Sequence, residues 1–265
     1  MWWRLLLSLG VFWHMPAHAN AQDSTASNKT MTIVADEWCP YNCKPDSRKQ
    51  GFIVDIARAV FEKKGIRVVY QTMAWSEALE RTRRGDFNAV VGAAPEDAPG
   101  FIFPKLEQGW PQIQFFVRDD QRWRYLGRDS LGAVKLGVAA AYSYGHMLDA
   151  YIRRHRDDAS RILVAGSDEV LRENVERLLL RDVDAIVEDA LVMNHYLDEH
   201  DLTGKIKLAG RLPVSNNNGV FIAFSPALES SREYAALLDK GMEELRTSGE
   251  LTAILARYGL KDWRR

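Results

Sequence analysis

The hydrophobic pattern of this chain alternates between two periods. Compact apolar runs at 31–35, 68–71 and 88–91 read as strands, and between them apolar positions recur at helical spacing. Ile53, Ile56, Ala57 and Val60 share one face of a helix that Gly51 opens and that Lys63, Lys64 and Gly65 close. A second helix starts at Trp75 and ends at Gly85. Strand, helix, strand, helix, strand with short connections predicts a parallel sheet, covering helices and right-handed crossovers.

The rhythm breaks between Ala94 and Trp110, where Pro95, Pro99, Gly100 and Pro104 predict turn-rich structure. Ile113 to Val117 reads as a strand leaving the first module, and a polar and aromatic stretch runs to Ser130. The alternation then repeats. A strand from Lys135 runs through small residues into a helix to about His155, whose first turn carries Tyr142, Ser143 and Tyr144. Strands follow at 162–164, 184–187 and 205–208. Between them lie helices at 168–180, with Ser167 as cap, and at 189–199. A buried strand at 219–224, a long helix at 226–246 and a short helix at 250–258 finish the chain. A strand ending as 135–144 does aims backbone N–H groups, a hydroxyl and phenol rings beyond a helix N-terminus, which makes a polar-ligand site. The alternative is an ordinary strand-helix turn capped by Ser143.

Composition narrows this picture. Lys and Arg number 35 against 36 Asp and Glu, so nucleic acid is not implied as a partner. Residues 1–21 combine Arg4, an apolar run from Leu5 to Trp13 and small residues at Ala17, Ala19 and Ala21. They read as a cleaved secretory signal, because the run is too short to span a bilayer. A leader follows, to about Thr30. Export places Cys39 and Cys43 in an oxidising compartment, so a disulfide closing this tight turn is preferred over two free thiols. So short a loop adds little global stability, and holding Tyr41 in a fixed pose is the better role for it. Of six histidines, His14 and His18 belong to the signal, and His146, His155, His195 and His200 form no i, i+4 pair and have no cysteine partner, which disfavours a metal site. No cofactor motif is present.

Several short stretches together resemble the periplasmic solute-binding proteins of the polar amino acid type, the family 3 extracellular receptors of ABC importers. They are Trp38 to Tyr41 with Gly51-Phe52, Trp75 with Arg84-Gly85-Asp86, Leu136-Gly137-Val138 before Tyr142-Ser143, RDVDAIVED at 181–189, and SGELTAILARYGL at 248–260. The resemblance implies a type II two-lobe α/β fold with the second lobe inserted into the first. The first lobe would span 22–117 and 212–265, and the second 118–211. Tyr41 and Trp75 would be first-lobe aromatic walls, with Trp75 open to a core role and Trp38 read as core. Tyr142 and Ser143 would offer donors from the second lobe. Asp189 would hold a ligand ammonium, or else cap a helix. The family's carboxylate-binding arginine has no counterpart, because Ala93-Ala94-Pro95-Glu96-Asp97 puts an acid in its place. Asp97 then favours a cationic or hydroxyl-rich ligand, or caps a turn.

The resemblance implies a periplasmic monomer that delivers its ligand to a membrane permease; a sensory partner is the alternative. Two enzyme readings compete. Ala141 to Gly145 loosely resembles a nucleophile elbow, followed by Asp189 and His195, but those two lie on one helix. A dehydratase on the same scaffold would use Glu188 or Asp97 as a proton donor.

Overall fold

The computed structural model describes residues 29–167, 169–213 and 219–264. The expected signal, most of the leader and the helix start at Asp168 lie outside the described residues. Two sheets organise the chain. The first has the order β2 (Ile66–Thr72), β1 (Lys29–Ala35), β3 (Ala89–Ala93), β9 (Phe221–Phe224), with β9 antiparallel to β3 and the other pairs parallel. The second has the order β6 (Ile162–Ala165), β5 (Leu136–Ala139), β7 (Ala185–Asp189), β4 (Ile113–Arg118), β8 (Ile206–Arg211), with β4 antiparallel to both neighbours. The second sheet is interposed in sequence between β3 and β9 of the first, the mixed α/β two-lobe arrangement that the resemblance implied.

Helices α1 (Phe52–Phe61), α6 (Ser231–Ser248) and α7 (Glu250–Ala256) pack on the first sheet, and α2 (Trp75–Arg84) covers its other face. The apolar stripe read from the sequence does the packing: Ile53, Ile56, Ala57 and Leu238 have no exposed surface. Gly241 lets α6 approach α1, since a Cβ there would stand 2.4 Å from Val60. In the second sheet α3 (His146–His155) packs on one side, with Leu148 fully buried, and α4 (Val170–Leu179) on the other. α5 (Ala190–Glu199) follows β7 directly.

Ile113–Arg118, read as the strand leaving the first module, pairs with β7 and β8 of the second sheet. Two readings of the sequence are corrected here. The helix expected from Pro226 starts at Ser231. Ser167 is not a simple cap, because its hydroxyl and N–H both donate to Glu173 Oε2. The chain passes between the sheets twice, and the two passages are tied side by side. Leu212 N donates to Ile113 O at 3.0 Å, and Gly109 and Val220 exchange backbone hydrogen bonds of 3.2 and 3.0 Å. Among the described residues no helix is long and apolar enough to cross a membrane, and no group of three His, Cys, Asp or Glu side chains could hold a metal ion.

Candidate ligand-binding cleft

Beyond Ala35 the backbone turns sharply through a loop closed by the Cys39–Cys43 disulfide, the pairing expected from the sequence. Trp38 N donates to Asn42 O at 2.8 Å and Asn42 N returns to Trp38 O at 3.2 Å, so backbone and covalent bonds fix the same turn. The Trp38 ring stacks on Tyr41 with centroids 4.1 Å apart, and Tyr41 packs on Phe52. Gly51 permits this: its φ is +109°, and a Cβ would come within 2.3 Å of Tyr41 O. The loop therefore presents Trp38 and Asn42 outward and keeps Tyr41 behind them.

Opposite stands the segment after β5. Tyr142 to Gly145 form a loop, and α3 begins only at His146, so these residues are not a helical first turn. Side chains hold the loop. Ser143 Oγ donates to Asp149 Oδ2 at 2.6 Å, Tyr144 N donates to Asp149 Oδ1 at 2.8 Å, and Ala139 N donates to the Tyr144 hydroxyl. The backbone donors expected to greet a ligand are thus partly spent on Asp149.

Three hydrogen bonds join the two sides, and each ends on a carboxylate. Trp38 Nε1 donates to Glu188 Oε1 at 2.8 Å, Ser143 N donates to Asp97 Oδ1 at 2.6 Å, and the Tyr142 hydroxyl donates to Asp36. They enclose a cavity of about 470 Å³ between the carboxyl ends of β1, β3, β5 and β7, where ligands of open α/β sheets lodge. Aromatic walls come from Trp38, Trp75, Tyr142 and Tyr144, with Trp75 set edge-on to Tyr142 at 6.3 Å.

Burial dominates the electrostatics. It lifts the Glu188 carboxyl to about 8, opposed by hydrogen bonds from Trp38 and Asp189 N and reinforced by the neighbouring Asp189 and Asp36 charges. Burial likewise lifts Asp97 to about 7 against its bonds from Ala94 N and Ser143 N, and Asp36 to about 6 against the Tyr142 hydroxyl. Glu188 Oε1 also accepts from Asp189 N, while among the described residues no donor reaches its Oε2.

Of the residues singled out in the sequence, Trp75, Asp97, Tyr142, Ser143 and Glu188 line this cavity. Tyr41 and Asp189 do not. Tyr41 is 1% exposed beneath Trp38. Asp189 caps α5 by accepting from Leu191 N and Val192 N, and it also accepts from Gln112 N at 2.6 Å in the passage between sheets. Asp97 caps its own turn through Ala94 N while reaching across to Ser143 N. Sequence reading passed over Trp38, Asp36, Asn42 and His146 as lining residues. The position of Asp36, directly after the first strand, could have flagged it. The elbow-like Ser143 bonds to Asp149 and to no histidine among the described residues, and His195 pairs with Glu199 on α5 instead.

Comparison with known proteins bears on these observations. The model of the bacterial extracellular solute-binding proteins, family 3, matches residues 31–261. The chain belongs to this family. No curated protein matches it by sequence. Solved structures share its fold. A histidine kinase sensor domain with similarity to periplasmic binding proteins aligns with TM-score 0.73 at 19% identity, covering 89% of this chain and 100% of that one. The substrate-binding protein of an amino acid ABC transporter aligns with TM-score 0.68 at 16% identity, covering 86% and 98%. An amino acid ABC transporter substrate-binding protein from Streptococcus pneumoniae, bound to L-arginine, aligns with TM-score 0.68 at 15% identity, covering 88% and 95%. At such identities the likeness is one of fold. Membership of an extracellular solute-binding family implies a periplasmic or extracellular location.

Proposed function

We propose that the protein captures a small polar solute between its two lobes and presents the closed form to a membrane permease of the ABC type, without chemical turnover. The lobes divide near Ile113 and again within 212–219. The observation that carries this reading is the cavity of about 470 Å³ at the facing strand ends, walled by residues of both sheets. Export through the signal at 1–21 would place the protein in the periplasm, where a monomer suffices for capture. A sensory role is the second reading, favoured by the alignment with the whole of a histidine kinase sensor domain.

Thermal denaturation against a library of polar metabolites tests capture. A ligand that binds only the native state raises the melting temperature as its concentration grows, by about 2.7 kcal/mol of stabilisation at a hundredfold excess over Kd. No shift with any compound overturns the reading. Steady conversion of a compound that does shift it makes the protein an enzyme, with Glu188 and Asp97 as the acids to examine. Reconstitution with candidate permeases separates delivery from sensing: stimulation of their ATPase by the liganded protein supports import.

A further inference from the structure

The cavity has a charge pattern that amino acid capture does not explain. Asp36, Glu96, Asp97 and Glu188 line it, and among the described residues no lysine or arginine does. A ligand carboxylate entering such a space finds no cationic fork to receive it, and each of the four acids that is ionised repels it. Two further features point the same way. Asn42 is 1% exposed, and its Nδ2 donates to Asp36 O at 2.8 Å, which fixes the amide and leaves Oδ1 as an acceptor without a partner. Gly92 stands beside that oxygen on the cavity wall; a Cβ there would lie 3.0 Å from it, so the absent side chain keeps the space next to the acceptor open. Aromatic faces complete the pattern. Trp38 and Tyr142 each donate to an acid and wall the same space, the combination of π-surface and carboxylate that holds a desolvated cation. Trp75 Nε1 is also unpartnered, and a neutral hydroxyl or carbonyl oxygen would satisfy it without adding negative charge.

We propose that the solute is an organic cation lacking a carboxylate, an alkylammonium or guanidinium compound, with its charged head between Trp38 and Glu188 and an N–H donor on Asn42 Oδ1. This rests on the reading of the cavity as the capture site. Discrimination against amino acids then comes from repulsion as much as from attraction.

Calorimetric titration of the full mature protein with agmatine and L-arginine tests it, because the two share a guanidinium and an alkyl chain and differ by one carboxylate. Putrescine and choline extend the cation set, L-glutamine the amino acid set. Agmatine or another of these cations is expected to bind at least about tenfold more tightly than either amino acid, a tenfold ratio being one decade in Kd. Arginine or glutamine binding as tightly as every cation overturns the inference and leaves capture standing. The same holds if only neutral solutes of the library bind. Absence of any ligand overturns capture itself. Glu188→Gln keeps an oxygen for Trp38 Nε1 and removes the carboxyl that a bound cation would draw into its ionised form, so it should weaken the cation by at least about tenfold while the unfolding transition stays cooperative. Asp36→Asn supplies a second variant. Unchanged affinity in both overturns the assignment of the cation to these acids.

Discussion

The two loops that face each other across the cavity are held by different chemistry. The 38–43 loop is closed by a disulfide and by backbone hydrogen bonds, and its aromatic ring rests on a second ring buried behind it. The 142–145 loop is held by side chains, and each of its contacts with Asp36, Asp97 and Asp149 ends on a carboxylate. The turn of the first wall is therefore held by bonds that do not titrate and that a reductant weakens, with Trp38 alone leaning on an acid, Glu188, whereas the second wall is held by acids and by no disulfide. A binding site built this way has one preformed half and one half whose position depends on the ionisation of the acids it leans on.

The largest expected effect is on stability against pH, and it comes from Glu188, the one acid on which the first wall closes. The Glu188 carboxyl keeps its proton up to about 8 in the native state, but loses it near 4.5 when unfolded. Between those values the native state binds more protons, so this group's contribution to stability falls as pH rises. Glu188→Gln should unfold with greater stability than wild type above that window, by on the order of 3 kcal/mol, and the gap should close towards the unfolded value. Urea titrations of both proteins across the range check this, and a gap that does not change with pH shows that burial does not hold the proton on Glu188.

Replacing Cys39 and Cys43 together by alanine should cost no more than about 2 kcal/mol, the small end of the loop-closure scale that so short a loop allows, with the same loss in wild type under reductant. Ligand affinity should fall with it, because Trp38 and Asn42 lose their fixed turn; unchanged affinity would show that the first wall is not preformed by the bond. The smallest effect should follow Asp149→Ala, about 1 kcal/mol, since the change strands the Tyr144 N–H and the Ser143 hydroxyl near solvent. Hydrogen exchange of the amides of 142–145 should quicken while that of the 38–43 loop stays as it is. If both quicken, the walls are one cooperative unit.

Much of the architecture was legible in the chain because helical and strand periods alternate cleanly and the glycine stops fall where the helices end. Gly65 and Gly85 both close their helices in the left-handed conformation. What escaped was set by tertiary contact. The strand at Ile113 has the same local pattern whichever sheet it joins, and its hydrogen bonds with β7 and β8 decide. The start of α3 was placed too early because the pull of Asp149 on Ser143 and Tyr144 has no signature in periodicity. Trp38 and Tyr41 exchanged expected roles for a similar reason: either ring could front the cavity, and the closed turn chooses. Glu188 and Asp189 are adjacent in a strand, so they point to opposite faces, one to the cavity and one to the amides of α5.

The paired passages between the sheets set what motion is available. Two strands bonded side by side, Gly109 against Val220 and Ile113 against Leu212, define a line about which the halves can rotate, and sliding or twisting would break those bonds. Opening the site would then resemble a door on two hinge pins, and would part Lys44 from Glu169, which stand 4.0 Å apart. Each approach of the halves would return the same ring to the same acid.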